Sequence, residues 1–237
     1  MTDDATRGAR IVAFDRFDLR VVSRRWPFAD ANRTAIDARF AAKQKANPAL
    51  WNGRVLLAHE YEVADGVCRG EMLETDFASF NAWRDWGRPP AGIVNCFAAP
   101  VLRASDGAYL LGVMGAHTAN AGQVYFPCGT PEPGDVVDGR LDLEHNARHE
   151  LKDETGLEFE DLDPEPGWIS LRLESWAMAA KLLNARLPAE ALRGRILQHL
   201  GTQAQPELTD IRIVRGPGDL DPAMPPFVSA FLRHMWV

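Results

Sequence analysis

His149-Glu150-Leu151-Lys152-Asp153-Glu154-Thr155-Gly156-Leu157 is the stretch from which the rest of this chain is best read. Glu150, Asp153 and Glu154 stand at i, i+3 and i+4, so on a helix they share one face. Three carboxylates held together repel one another unless a cation sits among them. A hard divalent ion, Mg²⁺ or Mn²⁺, is the natural partner, because it takes oxygen ligands and keeps waters that a phosphate can displace. Gly156 then stands where a left-handed residue ends a helix. The plainer alternative is an acidic, solvated helix face.

The neighbouring sequence favours the metal. Asp142 is a fitting N-cap for the helix, and Ala147 with Leu151 forms an apolar stripe beside the carboxylates. Upstream, Gln123-Val124-Tyr125-Phe126 reads as a strand that runs straight into Pro127-Cys128-Gly129. The Pro-, Gly- and Asp-rich segment 130–139 follows as a loop.

Further out, residues 93–102 and 108–114 form a hairpin about Asp106-Gly107. A second hairpin, 54–63 with 67–74, turns at Asp65-Gly66. Two short strands are expected within 10–24, one helix over 26–46, and a short helix behind Asp76. Residues 168–173 read as a strand, whereas 176–183 fits strand and helix equally well. An amphipathic helix starts at Pro188, a strand covers 211–214, and a helix closes the segment 225–237. Arg88-Pro89-Pro90-Ala91-Gly92 is the internal boundary, dividing an N-terminal extension (1–92) from a main domain (93–237).

Composition narrows the classes. The net charge of −7 argues against nucleic-acid binding, which relies on a basic surface. No run approaches the ~18 apolar residues of a membrane span, and the polar residues 1–7 lack a signal-peptide core. Cys68, Cys96 and Cys128 are odd in number and widely spaced, so a reducing cytoplasm is the expected setting.

With these elements placed, 129–157 resembles a Nudix box, G-x5-E-x7-R-E-U-x-E-E-x-G-U, with U a bulky aliphatic residue. Glu150, Leu151, Glu154, Gly156 and Leu157 match directly, Asp153 replaces a Glu, and His149 stands where the family has Arg. From Gly129 to His149 there are 20 positions against the family's 14, a six-residue insertion. Counting back at family spacing puts Leu141 at the upstream Glu position, and Arg148 with Glu144 could replace the missing pair. The segment 120–129 is similar to the lead-in of coenzyme A-type members, with Cys128 for a Gly. Residues 47–53 and 80–87 are more like members with N-terminal extensions, UDP-sugar pyrophosphatases among them.

The resemblance implies an α/β/α sandwich with a mixed sheet, preceded by an α+β extension. It also implies Mg²⁺- or Mn²⁺-dependent hydrolysis of a nucleoside diphosphate linked to another group. Glu150, Glu154 and Asp153 would hold the metal, with Glu207 as a further ligand or base and Glu174 as second choice. The expected partner is that small molecule, with no nucleic acid and no membrane, and a homodimer is left open. Two other readings stand beside this one. His145 and His149, at i, i+4 beside Glu150, have the spacing of a helical zinc hydrolase. A Nudix-like fold could also bind a nucleotide without cleaving it.

Overall fold

The computed structural model describes residues 8–237; the polar segment 1–7 lies outside the described residues. Strands β1 (Arg10–Phe14) and β2 (Arg16–Val22) are separated only by Asp15. The expected single helix over 26–46 is two, α1 (Pro27–Ala31) and α2 (Arg33–Ala46). Asn32 breaks it, at φ −112° and ψ 11°, and its side-chain amide donates to the Phe28 carbonyl at 2.8 Å. An Asn side chain that bonds nearby backbone competes with the helix in this way. The helix stops at Asn47, before Pro48, as that proline requires.

The hairpin of β3 (Arg54–Ala64) and β4 (Val67–Asp76) turns through Asp65 and Gly66, both left-handed at φ 52° and 70°. Two successive positive φ angles suit the right-handed twist of the flanking strands. Asp76 then caps α3 (Phe77–Asp85), accepting from the Ser79 N–H at 2.9 Å. The aromatic residues here serve mainly as packing: Trp83 is buried and donates its indole N–H to the Pro89 carbonyl at 2.9 Å.

The second half opens with β5 (Asn95–Arg103), β6 (Tyr109–Met114) and β7 (Val124–Tyr125). A small hairpin of β8 (Val136–Val137) and β9 (Arg140–Leu141) leads into α4 (Leu143–Thr155). Asp142 caps α4 through the His145 N–H at 2.9 Å, and Gly156 ends it at φ 70°. A side chain at Gly156 would also run into the His199 ring. After β10 (Asp163–Pro164) and β11 (Trp168–Leu173), the ambiguous 176–183 segment is the strand β12 (Trp176–Asn184). It lies parallel to β5, from Trp176 opposite Asn95 to Asn184 opposite Arg103. Its apolar run, Ala177 to Ala180, is buried throughout, which suits a central strand but carries no alternation to separate it from a helix. Helix α5 (Ala189–Leu200), strand β13 (Leu208–Val214) and helix α6 (Pro226–Met235) complete the chain.

The strands form two mixed sheets rather than one. The larger runs β1-β11-β12-β5-β6-β13, with β10 beside β12 and β7 beside β6; the smaller runs β3-β4-β2-β9-β8. Helices α4 and α5 pack on β5, β6 and β13, and α6 lies against β11. The boundary placed at residue 92 does not divide these sheets. Strand β1 belongs to the larger sheet, while β8 and β9 extend the smaller one. One core joins them: Phe14, Leu19, Ala58, Cys68 and Met72 pack in the same buried cluster as Cys96, Ala98 and Leu171. Tyr61 of β3 hydrogen-bonds Ser170 of β11 at 2.7 Å across that junction. Burying Leu19 and Met72 as well contributes about 2 kcal/mol each to holding the sheets together.

Candidate active site

Of the Glu150, Asp153 and Glu154 triplet on α4, the helix turns two carboxylates inward. Glu154 is 4% exposed, and its Oε2 atom has no hydrogen-bond partner among the described residues. Burial raises its carboxyl well above the usual carboxylate range, and Glu150 and Glu207 raise it further; the facing backbone N–H of Cys128 offsets only part. Glu150 is pushed up to about 8, again by burial first and then by Glu207, Asp135, Asp153 and Glu132. Such an arrangement is costly unless a cation joins it. An orphaned buried carboxylate oxygen beside further carboxylates is a donor set that fits a hard divalent ion.

Gly129 explains how Glu150 reaches its place. A β-carbon at residue 129 would stand 2.0 Å from Glu150 Oε1, so the carboxylate occupies the space that a side chain would fill. Gly129→Ala is therefore expected to displace the Glu150 carboxylate and weaken Mn²⁺ binding about 10-fold, as loss of ligand positioning does. Calorimetric titration with Mn²⁺ checks this; affinity equal to that of the parent protein would show that Glu150 is not a ligand.

The remaining sequence candidates fall in different places. Glu207, just before β13, lines the same cavities as Glu150, and its backbone carbonyl accepts from the Gly115 N–H at 2.7 Å. Asp153 faces outward, its side chain 61% exposed, and pairs with His149 at 3.1 Å. Glu174 sits at the β11–β12 turn with φ 47° and lines a separate cavity with His59 and Arg88. His145 and His149 are exposed on α4. Arg148 does meet Glu144, at 3.0 Å, but it also pairs with Glu160 and stacks 4.3 Å from the Phe159 ring, out on the surface. That pair does not brace the inward carboxylates. The Cys128 thiol is held well up by burial and by Glu154 and Glu150, so it remains neutral rather than nucleophilic. Among the described residues, the three-residue group with all ligand atoms within 4.8 Å is His59, Glu60 and Glu71, on β3 and β4. There a register shift between Ala58 and Glu60 sets the strand irregularly against Glu71.

The brace lies where counting back from the helix did not point. Counted forward from Gly129, five positions intervene before Asp135, the spacing of the family's upstream Glu. Asp135 is buried and accepts from the Glu132 N–H at 2.9 Å and from the Asn146 side-chain amide at 3.2 Å. Leu141, the position reached by counting back, is a buried core residue with no such role. The six inserted residues are the β8–β9 hairpin, 136–141, which turns at Asp138 and Gly139 (φ 50° and 73°). Its base is closed by the Asp142 N–H on the Asp135 carbonyl at 2.8 Å. The hairpin can therefore leave the loop and return without disturbing either side. Its tip joins β2, where the Val21 N–H donates to the Gly139 carbonyl at 2.9 Å.

A cavity of about 770 Å³ opens beside the carboxylates. Glu132, Glu150 and Glu207 stand at one part of its wall, with Trp51, Phe97, Trp176 and Phe227 providing apolar surface. The N-terminal segment contributes Arg84 and Arg88 to the lining. The loop after α2 is tied across the cavity by the Asn47 side-chain amide, which donates to the His117 carbonyl at 2.6 Å. Trp51, 74% exposed, stands in this loop. Apart from Glu150 and Glu207, none of these cavity residues is assigned from the sequence, because they come from segments far apart in the chain.

No family model matches the chain, and no curated protein matches it. Among solved structures it is similar to a Nudix hydrolase from M. smegmatis, RenU, at 15% identity and a TM-score of 0.35, over 60% of this chain and 81% of that one. It is likewise similar to the MutT protein of Methanosarcina mazei Go1, at 16% identity and a TM-score of 0.36, over 60% of this chain and 91% of the other.

Proposed function

We propose that this protein is a metal-dependent pyrophosphohydrolase of the Nudix type, cleaving the diphosphate bond of a nucleoside diphosphate linked to another moiety. The observation that carries the proposal is the buried, unpartnered Glu154 oxygen beside the half-buried Glu150 carboxyl. Glu150 and Glu154 would hold Mg²⁺ or Mn²⁺, with Glu207 completing the set and Asp153 acting from the rim. The bound cation would neutralise phosphate charge and acidify an attacking water.

The chain's own groups then have separable tasks. Water attacks one phosphorus, the bridging P–O bond breaks, and two phosphate products leave. Glu207, exposed at the cavity wall, would take the water's proton. Gly129 keeps space for Glu150, and Asp135 with Asn146 fixes the loop before α4. In this reading 93–237 supplies the chemistry and the segment before 92 supplies pocket wall.

The cavity's size and aromatic lining suit a nucleotide sugar or a coenzyme A-like substrate. No helix among the described residues is long and apolar enough to cross a membrane. Three free cysteines support a reducing, cytoplasmic setting. The homodimer enters the proposal as a state for light scattering to check. The deciding experiment is phosphate release from nucleotide sugars, coenzyme A, dinucleoside polyphosphates and ADP-ribose with Mg²⁺ or Mn²⁺. Absence of cleavage in every case overturns the enzymatic reading, and nucleotide binding without release would favour a binding module.

A further inference from the structure

Five arginines of the N-terminal segment pair with carboxylates, among them Arg33 with Asp76 at 2.9 Å, Arg39 with Asp85 at 2.6 Å and Arg54 with Glu74 at 2.6 Å, while Arg10, Arg16, Arg24 and Arg69 are exposed to solvent. Arg84 and Arg88 differ. Neither forms an ion pair among the described residues, although both line the cavity that also holds Glu150 and Glu207. The carboxylate next to Arg84 in sequence, Asp85, is taken by Arg39 and Lys43. Arg84 donates instead to a neutral acceptor, the Asn120 amide oxygen, and Asn120 in turn donates to the Tyr125 hydroxyl at 2.7 Å.

Arg88 is held with more effort. It follows Gly87 (φ 82°) and is itself left-handed at φ 53°, a conformation that costs a non-glycine residue about 1 kcal/mol. Pro89 and Pro90 stiffen the chain beyond it. The result sets its guanidinium 4.4 Å from the centre of the Trp176 ring. Burial lowers both guanidinium pKa values, and Arg84 adds like-charge repulsion at Arg88. Glu174 and Asp85 act on Arg88 from beyond ion-pair distance; two desolvated cations close enough to repel, with no carboxylate paired to either among the described residues, form an anion-binding arrangement.

We propose that Arg84 and Arg88 form a phosphate-binding site in the cavity, separate from the carboxylates of α4, that receives a phosphoryl group of the ligand. The proposal rests on the hydrolase reading for the ligand's identity, but the binding itself can be measured without turnover. A planar guanidinium donates two parallel hydrogen bonds to phosphate oxygens, and the Trp176 face holds Arg88 on one side. The phosphoryl group could belong to the scissile diphosphate or be a separate phosphomonoester on the leaving group. The shared chemistry is a dianionic phosphate oxygen cluster.

The test is titration of the full chain with inorganic pyrophosphate in EDTA at low salt, which removes any contribution from a carboxylate-held cation. The parent protein is expected to bind, and Arg84→Met and Arg88→Met each to weaken binding about 10-fold or more, with Arg84→Lys restoring part of the loss. Melting temperature, read alongside, separates lost binding from lost folding. No binding by the parent, or unchanged binding by both Met variants, overturns the proposal. With a turned-over substrate, the Met variants should raise KM while kcat stays within about 3-fold, the pattern of lost ground-state binding. Equal KM effects on substrates with and without an extra phosphomonoester assign the site to the diphosphate; an effect confined to the former assigns it to the leaving group. Pyrophosphate binding through these arginines with no diphosphate cleaved would leave this site standing and remove the hydrolase. Cleavage with an unchanged KM in both variants would do the reverse.

Discussion

Glu154→Gln is expected to lower kcat by about 10³-fold on any diphosphate the protein cleaves, a loss typical of removing one principal electrostatic contact to the transition state. The substitution keeps the side chain's shape, so the packing against α4's neighbours survives. What disappears is a negative oxygen donor at the deepest point of the site, where low dielectric makes each charge count most. The substrate's KM should change far less, because most of its surface meets the aromatic cavity wall and not this carboxylate. Mn²⁺ affinity, measured by titration, should fall with kcat. Glu144→Gln is the control: it is a half-exposed acid of the same helix, paired with Arg148 on the surface, and should stay within about 2-fold of the parent. Full activity in Glu154→Gln would mean the site has been placed wrongly.

The metal-free protein should lose stability as pH rises, opposite to the usual behaviour of carboxylate-rich proteins. The Glu150 carboxyl is at about 8 in the folded protein against an ordinary value of 4.5, and Glu154 is raised in the same direction. A folded-state value above the unfolded one means that the folded state binds more protons between them. Stability is then complete below about 4.5 and is lost as pH climbs through about 8. The loss between pH 5.5 and 8.5 should be on the order of 3 kcal/mol, or roughly 5–10 °C in Tm for a chain of this size. Millimolar Mg²⁺ should flatten the slope, since it binds the ionised carboxylates of the folded state. Melting curves in EDTA across this range decide it. A flat profile, or an unchanged slope in the Glu150→Gln/Glu154→Gln double variant, would show that these groups are not the ones under strain.

The parts of the fold that were legible are those whose causes are local. Asp76 and Asp142 cap their helices because a short acceptor before an apolar run meets the free N–H groups a few residues on. Gly156 ends α4 because the left-handed position there suits no larger residue. The 3.6-residue spacing put Glu150, Asp153 and Glu154 on one face of α4, whereas in the fold Asp153 lies outside that inward pair with its side chain 61% exposed. The helix break at Asn32 was missed because one side-chain bond to Phe28 outweighed a favourable run of helix formers. The insertion was seen as a count but not as a shape. Its hairpin is set by the left-handed Asp138-Gly139 pair and by a partner strand more than 100 residues earlier.

By itself the sequence determined the strand–loop–helix order around 129–157, the placing of Glu150, Asp153 and Glu154 on one helix, and its stop at Gly156. Each of these rests on residue type and spacing within one helix and the segments beside it. Tertiary structure alone decided that Asp153 faces solvent, that Asp135 braces the loop, and that Glu207 joins the cavity. It also sent β1 and β2 to different sheets and brought Arg84 and Arg88 to the cavity opposite Trp176. Those outcomes depend on which surfaces meet after both sheets close on a common core, and no local pattern encodes that meeting.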